Sequence, residues 1–270
     1  MSIRQYRPRT RSKRLLSGKR ALLLNALFIS TILLMITYPL VHGDSLRLIT
    51  IATVVCGSLT MVVHSNFAFG TRFALTLFSL TTLFALGVEI IGTKTSWPFG
   101  AYSYNHSLGY AVGSVPLLVP LAWLMMSYPI LIAARRVGKS WVFLYGGLGL
   151  MAWDLFMDPQ MVSAHRWTWA PHKTSLPFAP EIPLSNSAGW LFAGMGLMAL
   201  LHWALPRDRR KNGARLLIPN AFLGWALFSG IVGNLFFFHR PGVALLGGVV
   251  FGAVLAPYFF VLRFGRPDTF

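Results

Sequence analysis

Acidic residues are scarce in this chain: seven Asp and Glu among 270 residues, against 24 Lys and Arg. Charged residues of both signs make up only 11% while hydrophobic ones make up 55%, a balance that excludes an ordinary soluble domain and fits a polytopic membrane protein. A single cysteine excludes an intramolecular disulfide, and Cys56, set in an apolar run, reads as an inert thiol facing lipid or a neighbouring helix. No lysine falls inside any apolar run, so a retinal Schiff base has no attachment point. The seven histidines show no pair at helical metal-ligand spacing, and neither a Gly-rich phosphate loop nor a GxGxxG is present. The expectation is a protein without a metal and without a nucleotide cofactor.

What is there is positive charge and long apolar runs. A net charge of +17 suggests nucleic acid only if the basic residues form one face of a soluble fold. They are instead in blocks, eight within the first twenty positions and five between Pro206 and Arg215, where they serve as topology determinants and contacts for anionic lipid. Nucleic acid is not expected as a partner; the lipid bilayer is. Eight apolar runs follow, over residues 21–41, 46–63, 73–91, 115–134, 141–158, 188–205, 216–238 and 243–262, each 18 to 23 residues long, the length that crosses ~30 Å of hydrocarbon at 1.5 Å per residue. The first is too long for a signal-peptide core and lacks a small-residue cleavage site after it. With the amino terminus inside, 19 Lys and Arg fall in inside segments and five outside, so eight spans with both termini cytoplasmic satisfy the positive-inside rule. Seven spans remain the alternative, with 46–63 as the weakest run. The fold expected is all-α, a polytopic transmembrane helical bundle in the cytoplasmic membrane, with a basic cytoplasmic tail over 1–20 and one helical domain over 21–264. There is no internal repeat and no low-complexity linker.

This orientation sends two long connections, 92–114 and 159–187, to the outer face, and both are too rich in Trp, Tyr, Pro and Gly for mere linkers. Three of the seven acidic residues lie at that end of their spans: Glu89, Asp154 and Asp158. A charge within hydrocarbon costs at least ~2.5 to 3.5 kcal/mol, so these positions mark a function. Asn186, Asn234 and His239 fall at the same depth. Asp154 and Asp158 are spaced i, i+4 and share a helix face, and Pro159 is expected to end the helix. Two carboxylates that close in low dielectric cannot both ionise comfortably, so the pair is expected to retain a proton. Glu89 either pairs with Lys94, if the chain turns back at Gly92, or partners Asp154 in proton transfer or water activation. The aromatic runs 96–104 (SWPFGAYSY) and 165–169 (HRWTW) form an interfacial belt, or else line a pocket whose ring faces stabilise a cation by ~2 kcal/mol. A Mg²⁺–diphosphate site on Asp154 and Asp158 is weakened because only one acidic pair exists and it faces outward.

Four ordered motifs, EIIGTKTSWPFGAYSY (89–104), VPLLVPLAW (115–123), WDLFMDPQMV (153–162) and IPLSNSAGW (182–190), resemble the integral-membrane carotenoid biosynthesis family that contains the CruF-type carotenoid 1,2-hydratases and the bisanhydrobacterioruberin hydratases. The similarity covers roughly residues 70–260 and departs from the family pattern at Ser187, where an aromatic residue is expected. The resemblance implies addition of water, without a redox cofactor, across the terminal double bond of an acyclic carotenoid end such as that of lycopene, γ-carotene or bisanhydrobacterioruberin, giving a tertiary alcohol.

Such a hydration needs an acid to protonate one alkene carbon, surroundings that tolerate a tertiary cation, and a base to orient the captured water. The residues fit those roles with Asp154 as acid, Asp158 or Glu89 as base, and Trp153, Trp97, Tyr102 and Tyr104 against the cation. Phe99, His165, Arg166, Asn186 and Asn234 complete the expected substrate site. A carotenoid end-group cyclase shares the protonation step and differs in water access. A transporter or pigment-binding protein is the non-enzymatic alternative.

Overall fold

The fold, obtained as a computed structural model, describes residues 18–206 and 216–264; all but the last three residues of the basic tail, and the basic block after residue 206, lie outside it. Eight helices run up and down: α1 (Gly18–Thr37), α2 (Gly43–Phe69), α3 (Thr71–Thr95), α4 (Leu118–Val137), α5 (Val142–Ser163), α6 (Leu184–Ala204), α7 (Leu217–Val232) and α8 (Pro241–Phe264). Seven are long and apolar enough to cross a membrane. The exception is α5, whose composition is diluted by two aspartates and whose sides are buried against α4, α6 and α8. The weak second run is one of the longest helices, so the count of eight holds among the described residues.

Burial grades from the middle outwards. Within the span of α4, 72% of residues are buried, whereas only 11% are in α1, which packs on α2 at the edge of the bundle. The closest packing joins α5 to α6, where a Cβ on Gly194 would sit 3.1 Å from the Cα of Gly147. Without side chains at that crossing the two backbones meet, as small residues allow in membrane bundles. The seam holds the polar end of α5 beside the start of α6.

Several boundaries differ from the sequence expectation. Helix α3 continues through Gly92 to Thr95, and α5 passes through Pro159 to Ser163. Proline removes only one backbone donor, and a chain end in apolar surroundings gains by keeping its remaining helical bonds; Ser163 Oγ donates to the Pro159 carbonyl at 2.7 Å. Residues 115–116 belong to a strand rather than to α4. Helix α7 ends in a π-helical segment, Gly233–Phe237, the kind of irregularity that gathers at functional sites.

The two long connections are structured and tied together. The first carries β1 (Tyr102–Tyr104) and the hairpin β2 (Ala111–Val112) with β3 (Val115–Pro116); the second carries β4 (Trp167–Trp169) and the hairpin β5 (Ser175–Leu176) with β6 (Ala179–Pro183). Strands β1 and β4 pair antiparallel, Tyr102 opposite Trp169 and Tyr104 opposite Trp167. Because side chains alternate along a strand, all four rings lie on one face, while Ser103 and Thr168 turn outwards. That face roofs the end of the bundle where the carboxylates are.

Candidate active site

Glu89 sits six residues before the end of α3 and is buried. It has no cationic partner among the described residues; Lys94 is exposed, because α3 does not turn back at Gly92. Three neutral donors hold it instead. Tyr102 and Tyr104 donate to Oε2 at 2.5 and 2.8 Å, and the Trp123 indole donates to Oε1 at 3.0 Å. Gly92, one turn on, makes room for this: a Cβ there would lie 2.7 Å from the Tyr102 hydroxyl. Burial, and after it the Glu89 carboxylate itself, push both phenols well above the ordinary tyrosine range, so both remain donors.

Asp154 and Asp158 share the inner face of α5, as their spacing required, and Asn186 of α6 spans them. Its amide nitrogen donates at 2.8 Å to Asp154 Oδ2 and at 2.8 Å to Asp158 Oδ2. The second oxygen of Asp158 accepts the Trp167 indole at 2.5 Å and, more weakly, that of Trp169 at 3.4 Å. The second oxygen of Asp154 is buried and has no partner. Of the six carboxylate oxygens in the three acids, it alone is left over.

All three acids border one cavity of about 350 Å³. Its wall is otherwise apolar and aromatic, with Trp123 and Trp190 stacked at 4.3 Å and Phe99 leaning on Trp190 at 6.1 Å. Tyr102 meets Trp169 at 4.9 Å and Tyr104 meets Trp167 at 5.7 Å overhead. A concave, mostly apolar pocket with a few convergent polar groups has the form of a small-molecule site. A desolvated acid beside ring faces is suited to making and holding a carbocation. Among the described residues no group of three or more His, Cys, Asp or Glu is arranged to hold a metal.

Of the residues expected from sequence, Glu89, Phe99, Tyr102, Tyr104, Trp153, Asp154, Asp158 and Asn186 border this cavity. Four do not, and their places correct the expectation. Trp97 is 65% exposed beyond the end of α3. His165 is exposed, and its left-handed φ of 55° turns the chain from α5 into β4. Arg166 is buried but donates to Ser107 Oγ at 3.3 Å, and its carbonyl accepts from the Asn105 amide, fastening the two connections to each other. Asn234, buried in the π segment, turns its amide nitrogen back to the Gly230 carbonyl of α7 at 2.8 Å and does not border the cavity. His239, noted for its depth, is an exposed turn residue. The indoles of Trp123, Trp167 and Trp169, which ligate the acids, were not singled out from sequence, although all lie in motifs that were. The signal was an aromatic residue with a donor near each buried acid.

The profile of the carotenoid biosynthesis protein family matches residues 49–255, most of the described helical domain. Among curated proteins, the bisanhydrobacterioruberin hydratase of Haloarcula japonica is 29% identical over 179 residues, covering 62% of this chain and 57% of that protein. The chain thus spans little more than half the length of that relative. No solved structure matches. With a family match across well over half of its length, on the same helices that bring the acids together, the chain belongs to the carotenoid biosynthesis protein family.

Proposed function

We propose that the protein is a carotenoid 1,2-hydratase that adds water, by acid catalysis, to the terminal double bond of an acyclic carotenoid end. Carotenoid biosynthesis is the family's field, and the Haloarcula japonica relative is a bisanhydrobacterioruberin hydratase. The observation that carries the reaction is the unpartnered oxygen of Asp154. A carboxylic acid uses one oxygen as acceptor and carries its proton on the other; Asp154 has one oxygen engaged by Asn186 and one free for a proton.

In this reading the alkene π pair takes the Asp154 proton at C2, leaving a tertiary cation at C1. The rings of Trp153, Tyr102 and Tyr104 and Glu89, which accepts from three donors, favour that charge, while the apolar wall keeps bulk water from quenching it early. One water then donates its lone pair to C1 and loses a proton to Asp158, the carboxylate that Asn186 fixes beside Asp154, and that proton returns to Asp154 before the next turnover. The sum is one water added with no electrons exchanged, so the chemistry calls for no redox cofactor. Lycopene, γ-carotene and bisanhydrobacterioruberin carry the required type of end. The protein would act in the cytoplasmic membrane, with the acids near the outer leaflet as the distribution of Lys and Arg directs.

Expression in a lycopene-accumulating host tests this by pigment chromatography with mass detection. A hydratase yields pigment heavier by one or two waters. An isomeric, ring-bearing pigment would make the protein a cyclase, and unchanged lycopene would remove the enzymatic reading for that substrate class.

A further inference from the structure

The cavity has two very different sides. Towards the connections it is roofed by the β1–β4 rings and Phe99, and towards α3, α5 and α6 it is walled by the acids and their donors. Helices α2 and α4 supply more of the wall, through residues such as Thr53, Val54 and Met126, and the rest is bounded by the end of α1 with the turn that follows, Tyr38–Leu40, and by the second half of α7 with its π segment. There the wall is one side chain thick. Ile36, Leu40, Phe228 and Phe237 border the cavity and yet expose 45%, 60%, 56% and 45% of their surface. All four belong to segments apolar enough to lie within a membrane, so their outer sides face acyl chains.

Two further features single out this seam. Helix α1 rests on α2 and is the least buried of the membrane helices, so it has little to hold it against α7. At the top, Tyr38 and Phe238 meet edge to face at 6.1 Å, the ring contact that closes the seam between the end of α1 and the end of α7.

A cavity of about 350 Å³ accommodates an end group and not a whole long polyene, whose remainder must lie somewhere apolar. Hydrocarbon dissolved in the bilayer has no reason to cross the aqueous face, where it would lose ~25 cal/mol for each Å² exposed to water. Resting on the proposed hydratase reading, we propose that the polyene reaches the acids sideways from the bilayer, through the seam between α1 and α7. Its end group passes beneath Tyr38 and Phe238 while the rest of the chain stays in lipid along Ile36 and Phe228. Admission requires the end of α1 to swing away from α7, and the Tyr38–Phe238 contact is the latch.

The test uses the full chain in membranes, with Tyr38→Cys and Phe238→Cys introduced together in a Cys56→Ser background and joined by a short, reducible thiol crosslinker. Two substrates are compared: lycopene, and a short isoprenoid alcohol with the same terminal double bond, small enough to fit wholly inside the cavity. Linked protein should hydrate lycopene roughly tenfold more slowly than the same protein after reduction, while the short alcohol loses less than about twofold. Ile36→Trp, which narrows the seam without a crosslink, should show the same split in milder form. Equal rates for linked and reduced protein on lycopene would overturn the seam as the route, as would equal losses on both substrates. A wild-type protein that hydrates neither substrate would instead count against the hydratase reading.

Discussion

Glu89 and Asp154 are both buried carboxylic acids on the wall of one cavity, and their surroundings are opposite. Glu89 receives three hydrogen bonds, from two phenols and an indole, and has no oxygen to spare. Asp154 receives one and keeps a buried oxygen unpaired. Leaving such a group unsatisfied costs about 1 to 3 kcal/mol, and the fold supplied tyrosine and tryptophan donors to one acid but not to the other. The difference separates a group arranged to hold charge in place from one arranged to pass on a proton. Asp158 lies between the two types, since it is wired to indoles like Glu89 and tied through Asn186 to Asp154.

The largest effect should come from Asp154→Asn, which keeps the shape and the contact to Asn186 but removes the acid. Hydrated pigment should fall by about 10² to 10⁴-fold, the range for losing a positioned general acid, with the protein still present in the membrane fraction. Next is Asn186→Leu, which leaves Asp154 and Asp158 side by side without the amide that separates them. A hydrogen bond to a charged group is worth about 1.5 to 3 kcal/mol, so hydration should drop by roughly one to two orders of magnitude, read by product yield per unit of protein. Glu89→Gln places an amide where three donors point. It should lower the melting temperature in detergent more than Asp154→Asn does, while reducing hydration by only about tenfold. If Glu89→Gln abolished the reaction while Asp154→Asn left it intact, the comparison between the two acids would be reversed.

The smallest effect concerns the tyrosines. Folded Tyr102 and Tyr104 hold their protons to higher pH than the unfolded chain does. Their contribution to stability is therefore complete below the ordinary tyrosine value, about pH 10, and is lost as pH rises above it. The melting temperature should decline above that pH, and more gently in Tyr102→Phe, as thermal scans across the alkaline range would show.

Much of this was legible in the sequence because hydrocarbon is an unforgiving solvent. Eight runs of spanning length gave eight helices, and three acids that had no business in apolar spans did converge, since each lay at the same end of its run. Rotation about a helix axis is hidden from an apolar run whose every side is hydrophobic, so whether Glu89 faced Asp154 or lipid depended on packing such as that of Gly147 on Gly194. The same blindness hid Trp123, whose indole reaches Glu89 from the neighbouring helix α4. Pairing of the two connections was also beyond reach: three-residue strands 65 positions apart carry no signal of each other, yet their register sets four rings over the acids. Trp97 and His165 were picked for their company in aromatic motifs, but each sits in a turn, after the left-handed Ser96 that ends α3 and at the left-handed residue that leads into β4, and those turns send them outwards.

The most direct test of the account is isotopic. Membranes bearing the wild-type protein, supplied with lycopene in deuterated water, should yield hydrated pigment carrying one non-exchangeable deuterium on the carbon adjacent to the new alcohol, and Asp154→Asn membranes should yield almost none. Labelled product formed by Asp154→Asn at the wild-type rate would show that the proton comes from elsewhere, contradicting the role given to the one oxygen of the three cavity acids that is left unpaired.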